Sequence, residues 1–182
     1  MKTLVIIDPQ NDFITGKLGT KEAVKARDEI VKRLKNHDYD SVVITKDIHA
    51  GDSYGKTFEG KLFDSHCIKG SDGSIVDEKI GIALSSEVPM LGARKIIEKS
   101  SFMAPMYQMN LIDSFFNGGS FEFCGFRTDI CVISNVLEFI NYFGQSNEDI
   151  DISVNAKCCA GTTPENHKYA LEIMKTCGAK IV

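Results

Sequence analysis

The chain has 182 residues, of which 43% are hydrophobic and 25% charged, with a formal net charge of −4. These values are typical of one globular domain with one core, which we expect to span residues 1–182. The absence of any basic run argues against nucleic acid or an anionic membrane as a partner. No apolar stretch reaches the roughly 18 residues of a membrane span, and no signal peptide is recognisable. We therefore expect a cytoplasmic protein whose cysteines are reduced.

Short apolar runs alternate with amphipathic segments along the chain. Strands are predicted at Thr3–Asp8, Ser41–Asp47, Arg94–Glu98, Ser120–Gly125, Asp151–Asn155 and Ala179–Val182. Helices are predicted at 20–37, 106–117, 129–143 and 165–177. This alternation predicts a single-domain, doubly wound α/β sheet of about six mostly parallel strands with helices on both faces. By analogy with other doubly wound sheets, the expected strand order is 3-2-1-4-5-6 with right-handed crossovers.

Two irregular stretches interrupt this pattern. Residues 9–19 follow the first strand, and residues 48–76 form a loop rich in Gly, Asp, Ser and Lys. The second stretch is too long for an ordinary connection, and long loops of this kind are commonly functional. No GxGxxG follows the first strand and no GxxxxGK[ST] motif is present, so dinucleotide and P-loop nucleotide binding are disfavoured.

Reactive side chains follow four of the predicted strands. In an open parallel sheet, ligands bind beyond the carboxyl ends of the strands. The residues at or just after these ends are Asp8, Asp47 with His49, Lys99, and Cys131. Because all of them would lie on one rim of the sheet, their convergence indicates a catalytic site more strongly than any one of them does.

Cys131 is the candidate nucleophile. Thr128 suits an N-cap, which would place Cys131 in the first helical turn. The free N–H groups there and a nearby lysine favour a thiolate. The same N–H groups could stabilise an oxyanion. Its position is equally consistent with a small buried side chain. Asp8 suits either a general acid/base or a cap of the following loop. Lys99 is either a solvated lysine at a strand end or the cation that favours the ionised cysteine.

Asp47 and His49 form a D-x-H pair, whose side chains point the same way in an extended chain. His66, in the long loop, is a third candidate ligand. A carboxylate with two imidazoles suits Zn²⁺, Fe²⁺, Mn²⁺ or Co²⁺. A loop hydrogen-bond network without a metal is the other interpretation of the same residues.

Several segments resemble the isochorismatase-like cysteine hydrolases, in particular their nicotinamidase and pyrazinamidase members. The first-strand motif of that family is similar to LVIIDPQNDF, its metal motif to TKDIH, and its H-C-x-x-G-[ST]-x-G segment to HCIKGSDGS. Its lysine strand is similar to EKSSF, its nucleophile motif to CGFRTDICVISN, and its late helix to CCAGTTPENHKYALEIM. The matches occur in family order and extend from Thr3 to Val182.

The resemblance implies a catalytic triad, a metal site and an oxyanion hole. The triad is Asp8, Lys99 and Cys131, and the metal ligands are Asp47, His49 and His66. The implied ion is divalent, Zn²⁺ in the first place, with Fe or Mn as alternatives. The oxyanion hole consists of the backbone N–H groups of Arg127 and Cys131, after a cis peptide at Phe126–Arg127. Phe13 and Phe63 would flank the substrate ring, and the resemblance also implies a homo-oligomer.

The implied reaction is hydrolysis of nicotinamide, or of a similar small aromatic amide, to the acid and ammonia through a cysteine thioester. Two departures from the family pattern bear on the site and its substrate. Many nicotinamidases have a further histidine where Ser53 stands here, and small residues are common where Arg127 stands. An inward-pointing Arg127 would favour the alternative, a hydrolase of carbamoyl, ureido or carboxylate-bearing amides. The second alternative is a non-catalytic small-ligand binding module of the same fold.

Overall fold

The structure is a computed structural model that describes residues 1–88, 94–104, 119–145 and 150–182. Six strands form one sheet in the order β3-β2-β1-β4-β5-β6, and every neighbouring pair is parallel. The strands are β1 (Lys2–Ile7), β2 (Ser41–Asp47), β3 (Arg94–Lys99), β4 (Gly119–Phe126), β5 (Ile150–Ala160) and β6 (Lys180–Ile181). The predicted α/β class and strand order are confirmed.

Five α-helices lie in the described part of the chain. They are α1 (Asn11–Ile14), α2 (Lys21–Leu34), α3 (Glu78–Glu87), α4 (Ile133–Phe143) and α5 (Pro164–Thr176). A π-helical turn, Thr128–Val132, leads into α4. The long loop contains short 3₁₀ turns at Tyr54–Lys56, Glu59–Lys61 and Asp72–Ser74. The helix predicted at 106–117 lies outside the described residues. Within the described ranges, no helix combines the length and apolar character needed to cross a membrane.

The helix starts follow ordinary capping chemistry. Thr20 accepts a hydrogen bond from the Ala23 N–H at the start of α2, and Thr163 does the same for Asn166 at the start of α5. Helix α3 was not predicted, because Gly81 and two serines lower its helix propensity. Asp77 compensates by accepting hydrogen bonds from two N–H groups of its first turn.

The sheet core forms from the apolar runs of the central strands. Leu4, Val5, Ile6 and Ile7 of β1 are all fully buried, as expected for a strand covered on both faces. Strand β5 continues to Ala160 instead of ending at Asn155. The register of β4 and β5 shifts between Phe123 and Gly125, and this irregularity lets Gly125 and Phe126 pair with the extension.

Two unusual backbone positions lie at the carboxyl ends of β1 and β4. Asp8 has a φ of 47°, in the left-handed region. Gly125 has a φ of 119°, and a Cβ there would collide with the Ile7 carbonyl oxygen, so glycine is required for the close approach of the two strands. The Phe126–Arg127 peptide is cis, at the position that the family resemblance implied.

Candidate active site

Lys99 lies at the centre of a buried charged group. Its Nζ lies 2.7 Å from Asp8 Oδ2 and 3.7 Å from Cys131 Sγ, and all three side chains are buried. The same Nζ lies 3.6 Å from Asp47 Oδ1. The three residues predicted as a triad are therefore brought together from the ends of β1, β3 and β4.

The parallel register positions the Asp8 and Lys99 side chains. Lys99 is the last residue of β3 and pairs in register with Asp47, the last residue of β2. Thr45 of β2 donates a hydrogen bond to Asp8 Oδ1 over 2.6 Å and accepts one from the Asp8 N–H over 3.1 Å. These contacts orient the other oxygen of Asp8 towards Lys99.

Cys131 lies in the π-helical turn, not in an ordinary first turn of an α-helix. The Arg127 carbonyl accepts hydrogen bonds from the N–H groups of Ile130 and Val132, and Asn135 Nδ2 donates to the Cys131 carbonyl over 2.7 Å. The prediction that Thr128 is the N-cap is wrong: Arg127 occupies that position, and the Thr128 hydroxyl pairs with His167 Nδ1 at 2.8 Å. A π turn of this kind often accompanies a functional site.

Burial dominates the protonation of this group. It raises the pKa of the Cys131 thiol well above its ordinary value, against the opposing charge of Lys99. Burial likewise raises the pKa of Asp8. Burial disfavours the charged form of Lys99, but the nearby acidic groups together outweigh this effect and raise its pKa. Burial therefore opposes the thiolate that the nearby lysine favours. A hydrogen bond to Asp8 further raises the pKa of Cys131, which makes Asp8 the natural acceptor of the thiol proton.

A cluster of potential metal ligands adjoins the charged group. Its members are Asp47, His49, Glu59 and His66; all are buried, and their ligand atoms lie within 4.8 Å of one another. Asp47 Oδ2 lies 2.8 Å from His49 Nε2 and 3.5 Å from His66 Nε2. Glu59 Oε1 lies 3.6 Å and 3.4 Å from the same two nitrogens. The structure thus brings the three predicted ligands together and adds a fourth group.

Glu59 is the member that the sequence did not predict. It lies in a 3₁₀ turn of the long loop, seven positions before His66, and the chain from that turn to His66 is irregular. Ser53, which stands where many relatives have a histidine, is exposed and does not belong to the cluster. The only signal in the sequence was an acidic residue in the same functional loop as His66.

The electrostatics of the cluster suit a divalent cation. Burial alone would lower the pKa of His49 and His66, but hydrogen bonds with Asp47 and Glu59 raise both to about 9. The two carboxylates therefore attract positive charge. His66 Nδ1 lies 2.8 Å from the Asp64 carbonyl oxygen, which fixes the ring with Nε2 towards the cluster. Two imidazoles and two carboxylates fit the ligand preferences of Zn²⁺ and related ions.

A cavity of about 160 Å³ connects the two groups. Its apolar lining consists of Phe13, Leu18, Phe63, Phe102 and Ile130, and its polar lining includes Glu59, His66, Arg127 and Cys131. Phe13 and Phe63, the predicted substrate contacts, both line this cavity, and Phe102 is an aromatic wall that the sequence did not predict. The cavity therefore joins the candidate nucleophile, an aromatic surface and the candidate metal ligands.

Arg127 is buried and lines the same cavity as Cys131, as the alternative substrate class requires. Its side chain is buried at the cavity wall, and its Nη1 donates to the Gly161 carbonyl over 3.2 Å. Burial lowers the pKa of its guanidinium from the usual value. The cavity lining thus includes an arginine as well as Cys131.

The fold and these groups define a parallel α/β protein with an Asp–Lys–Cys centre beside a candidate metal site at the carboxyl edge of its sheet. The chain belongs to the isochorismatase family, because the sequence model described as the isochorismatase domain matches residues 2–182. The family predicted from the motifs is confirmed.

Individual relatives agree with this assignment. The chain is 21% identical over 208 residues to a nicotinamidase of Schizosaccharomyces pombe, covering 98% of this chain and 91% of that protein. The nicotinamidase/pyrazinamidase of Bacillus subtilis has a TM-score of 0.82 at 24% identity, with 100% of this chain and 98% of that one covered. A pyrazinamidase of Pyrococcus horikoshii in complex with zinc has a TM-score of 0.76 at 21% identity, with coverage of 100% and 98%. Both structural similarities demonstrate a shared fold.

Proposed function

We propose that this chain is a cysteine amidohydrolase of the nicotinamidase type, which hydrolyses nicotinamide or a similar small aromatic amide to the acid and ammonia. One observation carries the proposal: the buried group of Asp8, Lys99 and Cys131 opens onto an aromatic cavity that also reaches His66 and Glu59. The relatives named as nicotinamidases and pyrazinamidases support the same reaction class.

The cavity suits a flat, mostly apolar ring. Phe13 and Phe63 bring aromatic surfaces to it, and Phe102 packs edge-on against Phe63 with ring centroids 6.2 Å apart. Aromatic faces bind planar rings through burial and edge-to-face contacts. A ring between these side chains would keep its carboxamide close to Cys131, which lines the same cavity.

The proposed chemistry begins with proton transfer from Cys131 to Asp8. Lys99 stabilises the anions of both residues in turn, since its Nζ lies close to each of them. The thiolate then attacks the amide carbonyl, and the backbone N–H groups of Arg127 and Cys131 stabilise the oxyanion. Asp8 returns the proton to the departing ammonia, and water hydrolyses the thioester to release the acid and restore the thiol.

Asp47, His49, Glu59 and His66 would hold a divalent ion, for which Zn²⁺ is the first candidate and Fe or Mn are alternatives. When bound, the ion supplies a Lewis-acid contact for the heteroaromatic nitrogen of the substrate and so orients the ring. The zinc complex of the Pyrococcus horikoshii relative supports this choice.

The test is ammonia release from nicotinamide, pyrazinamide and benzamide, together with mass spectrometry of the rapidly quenched enzyme. We expect ammonia release by the wild type, an acyl adduct on the Cys131 peptide, and neither with Cys131→Ala. The exposed Cys177 provides the control, since Cys177→Ala should retain activity. Undiminished ammonia release by Cys131→Ala, or no release by the wild type from any of these amides, would contradict the proposal. The second of these results would favour a hydrolase of carboxylate-bearing amides if Cys131 still reacts with alkylating agents, and a non-catalytic binding module if it does not.

A further inference from the structure

Arg127 is a buried cation that forms no ion pair among the described residues, and the charge of Asp129 acts on it only at longer range. Its side chain is 4% exposed, and its Nη1 donates to two neutral acceptors, the Gly161 carbonyl at 3.2 Å and Thr20 Oγ1 at 3.5 Å. The Nε and Nη2 groups make no hydrogen bond within the described ranges. A guanidinium carries five N–H donors, so most of its capacity is unused.

Two other buried arginines show how this chain usually satisfies such a group. Arg27 is 8% exposed and pairs with Asp77 at 3.3 Å, and Arg33 is 7% exposed and pairs with Glu122 at 2.7 Å. Both lie away from the cavity lining. Arg127 is more deeply buried than either and is the one of the three that lines the cavity. Because a buried unpaired charge is costly, its retention there indicates a ligand that completes it.

The nearby carboxylates do not fill this role. Asp129 accepts hydrogen bonds from the N–H and the hydroxyl of Thr162, and it forms no ion pair with Arg127 among the described residues. Glu59, which also lines the cavity, is directed at the two histidines of the metal cluster. Arg127 therefore lines, without an ion pair, an otherwise largely apolar cavity that Cys131 shares.

We propose that the preferred substrate is a small amide with a carboxylate substituent, and that the Arg127 side chain binds this carboxylate while the amide lies at Cys131. A planar guanidinium binds a carboxylate through two parallel hydrogen bonds, and the apolar surroundings strengthen both. The inference rests on the proposed amidohydrolase function for the reaction at Cys131. It deepens that function, because it names a charged substrate class where nicotinamide itself is neutral.

The test compares substrates that differ in charge and, in size, by only one methyl group. Each carboxylated pyridine-3-carboxamide is paired with its methyl ester, and an N-carbamoyl amino acid is paired with its methyl ester to represent the ureido class. We expect at least one acid to have a kcat/KM roughly tenfold or more above that of its ester. In Arg127→Gln this ratio should fall by roughly ten- to a hundredfold, since a charge-assisted contact is replaced by a neutral one.

The acid-to-ester ratio is the readout because the backbone of Arg127 also belongs to the proposed oxyanion hole. A change that affects turnover of the acid and of its ester equally cancels in the acid-to-ester ratio of kcat/KM. Lys35→Gln removes one exposed positive charge and serves as the control for net charge. An acid-to-ester ratio near one in the wild type, or an unchanged ratio in Arg127→Gln, would overturn the inference.

Binding separates failure of this inference from failure of the proposed function. Calorimetry measures the affinity of the pyridine carboxylates for wild type, Arg127→Gln and Lys35→Gln without any turnover. If no amide releases ammonia, the hydrolase proposal fails, and the anion site is then judged by affinity alone. Affinity that falls tenfold or more only in Arg127→Gln supports the site, and equal affinity in all three proteins rejects it.

Discussion

Thr45 and Asp8 are joined by a hydrogen bond of 2.6 Å between the threonine hydroxyl and Oδ1 of the carboxylate. Asp8 has a left-handed backbone conformation and is fully buried, so its side-chain direction depends on such contacts. With Oδ1 occupied by Thr45, Oδ2 lies 2.7 Å from Lys99 Nζ. Thr45, near the end of β2, therefore orients an acid that directly follows β1.

Thr45→Val tests whether this hydrogen bond positions the proposed general base. We expect kcat for amide hydrolysis to fall roughly tenfold or more, since small displacements of a catalytic group are costly. Loss of the bond should also lower the free energy of unfolding by about 1–3 kcal/mol. Steady-state kinetics and urea unfolding measure the two effects.

Thr3→Val is the matched control, because the Thr3 hydroxyl pairs with Ser41 at 2.9 Å between the same two strands but at their other end. This variant should lose stability and keep kcat. An equal loss of kcat in both variants would assign the effect to the stability of the sheet instead of the position of Asp8.

Glu59→Gln tests the ligand that the sequence did not predict. Replacing a buried carboxylate by an amide removes a charged ligand, and we expect zinc affinity to fall tenfold or more. Competition with a chromophoric chelator measures this affinity without turnover. Asp52→Asn, an exposed change in the same loop, is the control. Equal zinc affinity in wild type and both variants would remove Glu59 from the metal site.

The sequence predicted those parts of the site that depend on strand ends. Asp8, Asp47 and Lys99 lie at or just after the ends of recognisable strands, and parallel pairing necessarily brings such ends to one edge of the sheet. Glu59 and Phe102 lie in irregular segments, whose course depends on tertiary contacts and leaves no periodicity in the sequence. These two positions were therefore missed.

The protonation of Cys131 also depends on surroundings that a local motif does not describe. The motif indicated a helix start next to a lysine, and both features favour a thiolate. Desolvation depends on the whole surroundings of the sulfur, which a local motif does not report. Burial raises the pKa of the thiol well above its ordinary value, and the proposed mechanism therefore needs Asp8 as the base.

Gly125→Ala tests the close approach of β4 and β1 beneath the site. A Cβ at this position would collide with the Ile7 carbonyl oxygen, and the φ of 119° disfavours any side chain. We expect the free energy of unfolding to fall by roughly 3 kcal/mol or more, or the variant to fail to fold.

Gly81→Ala is the control, because a Cβ at that position of α3 meets nothing within 4 Å. That variant should be stabilised by up to about 1 kcal/mol, as calorimetry would reveal. Similar melting temperatures for the two variants would contradict the structural role of Gly125.

The pair of Arg33 and Glu122 predicts how stability depends on pH. Arg33 Nε and Nη2 donate to the two carboxylate oxygens of Glu122 over 2.7 Å and 2.8 Å, and both side chains are buried. Burial alone would raise the pKa of Glu122, but the bonds from Arg33 and Asn155 hold it below the usual value. A carboxyl whose pKa is lower in the folded state stabilises the protein above its unfolded pKa of about 4.3. This contribution is lost as the pH falls through the lower pKa of the folded state.

Glu122→Gln should therefore lower the free energy of unfolding by about 2 kcal/mol near neutral pH and by progressively less in acid. Urea unfolding of wild type and variant from about pH 7 to about pH 3 measures the difference, with exposed Glu172→Gln as the control. A difference that stays constant over this range would show that ionisation of Glu122 does not contribute to stability.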